Sequence, residues 1–316
     1  MIIEPRNFYK PFEYQTAFDF YKDQHRAHWL ADEVPLASDL NDWKLKLNNS
    51  EKNLIGNILK SFAQTEVHVN DYWSTKVSVW FPKPEIQAMA RVFADFESIH
   101  AEAYARLNEE LGLDDFRAFL EDETSKAKIE RLIETPGTTL EEQALSLAIF
   151  SAFTEGVNLF SSFAVLMSFQ LRNLMKGTGQ IVAWSVRDES LHSKAGCWLF
   201  RTLLSENPEL DTDELRNKIT EACYLSVQLE FNFIDKAFEL GEVEGLNVDQ
   251  LKNFIKARAN EKMIELGYSS IYNNIDPNLL KQMEWFGHLT NGVEHQDFFA
   301  QRPTSYAKST GDWSDL

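Results

Sequence analysis

Cysteine is scarce: two thiols, Cys197 and Cys223, in 316 residues leave no disulfide framework to expect. Both stand in apolar helical surroundings, where a buried reduced thiol is the usual occupant, and a reducing cytoplasmic location is the matching expectation. Positive charge is also short. Against 49 acidic residues there are 31 Lys and Arg, a formal net charge of -18, and such a balance excludes a basic groove for nucleic-acid phosphates. Long hydrophobic runs are missing too. No apolar stretch reaches spanning length without a polar interruption, and MIIEPRNFYKPFEY lacks the basic-then-apolar pattern of an export signal, so neither membrane helix nor leader is expected. Repeats, low-complexity tracts and a glycine-rich phosphate loop are absent; Gly177-Thr178-Gly179 is too short to be one.

What the chain has is core-forming material and helix. Its residues are 44% hydrophobic and include 23 Phe and 8 Trp, enough to bury a large interior. Strong helix formers dominate, β-type alternation is scarce, and turn residues separate long amphipathic segments, which predicts an all-α fold. Four segments form the frame. The first runs from a cap near Ser50 to about Trp80, closed by Pro82 and Pro84. The second starts there and ends near Gly112. The third opens on the Thr139/Glu142 capping-box pattern and continues towards Leu174. The fourth follows a break at Gly177 and Gly179 and ends before Pro208. Patterns near 213–240 and 247–267 predict flanking helices. Charged residues 113–138 read as a longer connection, residues 1–300 as one domain, and residues 301–316 as a flexible C-terminal tail.

The inward stripes of the four segments carry the chemistry. A 3.6-residue period that selects apolar residues also selects acids and histidines. The first stripe reads Ile55, Leu59, Phe62, Glu66; the second Ile86, Met89, Phe93, Glu97, His100, Tyr104, Leu107. The third reads Leu145, Ala148, Ala152, Glu155, Leu159, Ser162; the fourth Val182, Ser185, Glu189, His192, Gly196, Leu199. Each helix thus turns one glutamate inward. A carboxylate on an apolar face costs several kcal/mol, as an order of magnitude, unless paired or bound to a cation. No Lys or Arg on these stripes supplies the charge, whereas two divalent ions would, since each Glu-x-x-His pair sets an oxygen and a nitrogen donor one turn apart. One such pair alone more often marks a solvated face. Here only His100 and His192, of seven histidines, have Glu three positions earlier, and each pair follows a lone inward Glu after a similar interval. That duplicated order matches the ligand arrangement of di-iron and di-manganese carboxylate bundles.

At FESIHAEAY (96–104) and VRDESLH (186–192) the sequence resembles the small subunit of class I ribonucleotide reductase, and the likeness extends over nearly the whole chain. The resemblance implies a ferritin-like four-helix bundle with Glu66, Glu97 and His100 on one metal, Glu155, Glu189 and His192 on the other, and Glu97 and Glu189 bridging. It further implies that Trp29 (in WLADEV), Asp188 and a tail tyrosine, for which Tyr306 is the candidate, carry an oxidising equivalent to a cysteine of a separate large subunit. The tail would dock there, and the subunit would be a homodimer. Glu66 stands where the common di-iron tyrosyl-radical enzymes have Asp, while Tyr104 keeps the position of their radical tyrosine. That combination looks most like the all-glutamate dimanganese subclass, in which the tyrosine is not the radical store; di-iron and manganese-iron are the alternative metals, because ligand type does not separate them. Two other readings share the scaffold: metal storage or peroxide handling of the ferritin type, and an oxidase acting on a small substrate in its own pocket.

Overall fold

The computed structural model describes residues 1–113, 137–239, 241 and 243–290, apart from the side chains of residues 63, 64 and 67. Every regular element among them is helical; the sole β pairing is an isolated bridge between Val243 and Leu246. In chain order the main helices are α1 (Gln15–Arg26), α2 (Ala37–Leu45), α3 (Asn49–Asp71), α4 (Pro84–Leu111), α5 (Leu140–Leu147), α6 (Phe160–Ser168), α7 (Lys176–Glu206), α8 (Asp213–Ala237), α9 (Val248–Glu265) and α10 (Pro277–Gln282). None is long and apolar enough to cross a membrane.

The frame is a bundle of α3, α4, the α5–α6 segment and α7. Local chemistry sets its ends. Asn48, two residues before the expected cap, closes α3 with a reciprocal box to Glu51. Pro84 sits in the first turn of α4, where its missing N–H is unneeded, and Gly112 ends that helix in the left-handed conformation at φ 73°. The Thr139/Glu142 box opens α5 as expected. Flanking α1 packs across α4 and α7, α2 lies on α7, and α8 and α9 pack against each other and against the α5–α6 segment.

Two expectations need correction. The third segment is not one helix: after α5 the backbone widens into a π stretch, Ala148–Thr154, and passes through a turn before α6. There the Glu155 and Asn158 amides bond to the carbonyls of Phe150 and Phe153, five residues back. The break before α7 lies at Asn173 and Met175, both with positive φ, rather than at Gly177 and Gly179, which belong to the helix. Gly177 is required by proximity: a Cβ there would stand 2.8 Å from Leu36 and 2.9 Å from the Pro35 carbonyl. The first segment also widens, at Tyr72–Val77, before its last turn, Ser78–Trp80. Such widenings re-aim the side chains around them and recur at functional sites. Both lie beside the four inward glutamates. Residues 114–136 and 291–316, which hold most of the charged connection, the tail and Tyr306, fall outside the described residues.

Candidate metal centre

All four stripe glutamates turn inward. Glu66 is 1% exposed, and Glu97, Glu155, Glu189, His100 and His192 are fully buried. Donor atoms of Glu66, Glu97, His100 and Glu189 lie within 4.8 Å of one another, and so do those of Glu97, Glu155, Glu189 and His192. Glu97 and Glu189 belong to both groups. The geometry is therefore two overlapping cradles sharing two carboxylates, each with one private carboxylate and one imidazole.

The histidines face the cradles through Nδ1. For His100 that atom is 3.1 Å from Glu97 Oε2 and 3.2 Å from Glu189 Oε1; for His192 it is 2.7 Å from Glu97 Oε1. Yet both oxygens of Glu66 and of Glu189, one oxygen each of Glu97 and Glu155, and His192 Nδ1 make no aligned hydrogen bond. Donor atoms converging with so few hydrogen bonds among them fit bound cations. Among the described residues no Lys or Arg pairs with these glutamates. Four carboxylates carry four negative charges; two divalent ions carry four positive ones. Oxygen and imidazole donors in this number suit manganese and iron alike.

Protonation follows the same strain. Burial, then the neighbouring carboxylates, pushes the Glu66 and Glu155 carboxyls well above the ordinary range, and Glu189 is raised for the same reasons. At Glu97 burial acts in the same direction, but His192 and His100 outweigh it and bring the carboxyl down to about 2. His100 is raised: burial opposes its charge, and Asp188, Glu189 and Glu97 overcome that.

Around the cradles stands an ordered polar and aromatic layer. Asp188, beside Glu189 on α7, accepts Trp29 Nε1–H at 2.8 Å, His100 Nε2–H at 3.3 Å and Gln24 Nε2–H at 3.1 Å. Arg187 Nε lies 3.4 Å from the same carboxylate. Trp29 is stacked on His100 with ring centroids 5.9 Å apart. So the expected trio of His100, Asp188 and Trp29 meets. Tyr104 is buried against Phe62, and burial first of all raises its hydroxyl well above an ordinary phenol.

Two contributors escaped the sequence reading. Trp73, in the first π stretch, donates to Glu155 Oε1 at 2.7 Å; it lies seven residues after Glu66, so extending that stripe two turns would have found it. Gln24 Oε1 accepts from His192 Nε2 at 3.0 Å. Its one signal is the α1 stripe, where Ala17 and Gln24, also seven apart, are the buried pair.

The chain matches the family "Ribonucleotide reductase, small chain" over residues 6–278. It is 34% identical, over 99% of its own length and 88% of the relative's, to a protein of Invertebrate iridescent virus 3 that bears the name of a ribonucleoside-diphosphate reductase small subunit. With the beta subunit from Chlamydia pneumoniae it shares 25% over 94% of this chain and 88% of that one. In fold it is similar to the R2 subunit of Clostridium botulinum ribonucleotide reductase, with a TM-score of 0.80 at 20% identity over 88% of this chain and 89% of that one. Streptococcus sanguinis dimanganese(II)-NrdF gives 0.77 at 20% identity, over 89% and 99%. With its buried carboxylate and histidine cradles, the chain belongs to the small-chain family of ribonucleotide reductase, an oxidoreductase whose small subunit works with a large one to make deoxyribonucleotides.

Proposed function

We propose that Glu66 and His100 hold one metal ion, Glu155 and His192 a second, and that Glu97 and Glu189 bridge them. The observation that carries this reading is the pair of overlapping donor groups with the two shared carboxylates. When bound, the ions supply a store of oxidising equivalents. The protein's own part is to seal that store and connect it to the partner. Phe93, Phe62, Trp73 and Trp29 exclude water from the cradles, which strengthens every charge interaction inside.

Asp188 is placed to serve Trp29. Loss of an electron makes an indole N–H acidic, and the carboxylate oxygen 2.8 Å away is the base that holds the shared proton. The same oxygen receives His100 Nε2–H, so cradle, His100, Asp188 and Trp29 form one hydrogen-bonded line. Beyond Trp29 we assign the next step to Tyr306 in a tail of residues 301–316 that docks on the large subunit, where a cysteine starts reduction of the ribonucleotide. A homodimer in the cytoplasm completes the proposal; reduced, buried Cys197 and Cys223 suit that compartment.

For the metal we propose manganese at both positions, with di-iron and manganese-iron as the competing loadings. An all-glutamate set of private and bridging acids supports it, and one fold relative is a dimanganese protein by its description. Tyr104 then lies near the store without being the radical itself. Metal analysis with electron paramagnetic resonance after activation tests this. Two manganese ions and no tyrosyl signal are expected; a tyrosyl signal that vanishes in Tyr104→Phe contradicts the subclass. Deleting residues 301–316 is expected to abolish turnover and leave metal content unchanged.

A further inference from the structure

Asp188 faces four donors: Trp29 Nε1, His100 Nε2, Gln24 Nε2 and Arg187 Nε. A carboxylate so surrounded accepts from each of them, which settles the orientation of the Gln24 amide. Its nitrogen must face Asp188, because the opposite placement would set two acceptors together. Its oxygen therefore faces His192 Nε2 at 3.0 Å. An amide oxygen only accepts, so His192 carries its proton on Nε2, and Nδ1 is left with a free lone pair. That lone pair points at Glu97, into the second cradle. Phe93, 4.2 Å from the His192 ring centre, fixes the plane of the ring.

We propose that Gln24 is the positioning residue of the second metal site: it relays the polarity of Asp188 to His192 and so selects Nδ1 as the ligand atom. The same carboxylate that sets the tautomer of His100 directly sets that of His192 through one amide. Both imidazoles are thereby tied to the acceptor that also holds Trp29, although they lie on different helices and serve different ions. The device sits on α1, outside the four segments that supply the donors, and Gln24 is fully buried there. Neutrality matters. A second carboxylate beside Asp188 would repel it, and a lysine would compete for His192 as a donor.

The inference rests on the two-metal reading, and the test separates the two. Manganese(II) alone is titrated anaerobically into the full chain, and free ion is followed by electron paramagnetic resonance. The unaltered chain is expected to take up two ions. Gln24→Met, similar in length and without polar atoms, is expected to keep one ion at unchanged affinity and to weaken the other about 10- to 100-fold, the usual effect of losing a partner behind a metal-bound histidine. Gln24→Glu keeps an acceptor oxygen before His192 Nε2 but sets its other oxygen against Asp188, so it is expected to hold the second ion more tightly than Gln24→Met and less tightly than the unaltered chain. Two ions bound at unaltered affinity in Gln24→Met, or equal weakening of both, would overturn the role of Gln24 and leave the metal reading standing. An unaltered chain that binds no ion would remove both.

Discussion

At the scale of single residues, the site is a conflict that only its ligands resolve. Glu66 and Glu155 are carboxyls in an apolar interior with oxygens that no proton donor fully satisfies. Without metal they are liabilities, so Glu66→Leu is expected to leave the metal-free protein as stable or more stable in chemical denaturation, while abolishing uptake of at least one ion. Trp29→Phe removes a buried hydrogen bond to a charged acceptor. It is expected to cost about 1.5–3 kcal/mol, to leave metal content unchanged and to abolish turnover with the large subunit; full turnover would contradict the proposed line. The residues legible in the sequence are those whose spacing betrays them. Glu97 with His100, and Glu189 with His192, announce a buried polar face because three residues return a helix to the same side. Gln24 announces nothing, since a neutral amide on a flanking helix is unremarkable until folding brings it to Asp188, 164 positions away.

Elements determine how closely the donors meet. The π stretch at Ala148–Thr154 ends on Glu155, and α7 approaches it so nearly that a Cβ on Gly196 would stand 1.8 Å from Ser151 Oγ. Gly196→Ala therefore forces the stretch away from α7. We expect a loss of about 1–3 kcal/mol in denaturant unfolding, weaker manganese retention, and partial recovery of both in Gly196→Ala with Ser151→Gly, which removes the clashing side chain. No recovery would mean that the close approach is not what places Glu155. The helical frame was legible because capping boxes, Pro84 and Gly112 mark its ends in local chemistry. The opening of the third segment was not: Ala148–Thr154 contains neither Gly nor Pro, and the widened hydrogen bonding answers to packing against α7, α8 and α9 rather than to propensity.

For the molecule as a whole, charge and pH report on the site. The folded, metal-free chain holds protons on Glu66, Glu155 and Glu189 at pH values where the unfolded chain has released them, and His100 retains its own above the ordinary histidine range. Wherever the folded state binds more protons, stability falls as pH rises. Glu97 and Asp188 act the other way, but their contribution is already complete above the ordinary carboxylate range and is lost only in acid. The melting temperature of the metal-free protein is therefore expected to fall as pH rises above the ordinary carboxylate and histidine values, about 4.3 and 6.5, and manganese is expected to flatten that slope because it displaces the protons. An equal slope with and without metal would show that the cradles do not hold it. Membership of the family was legible from two short stretches, whereas residues 301–316 lie outside the described residues and their proposed role follows from the resemblance alone. The most direct measurement is anomalous diffraction at the manganese edge from crystals of the loaded protein. Two peaks flanked by Glu97 and Glu189, one beside Glu66 and His100 and one beside Glu155 and His192, are predicted; an empty interior, or peaks elsewhere, would contradict the account.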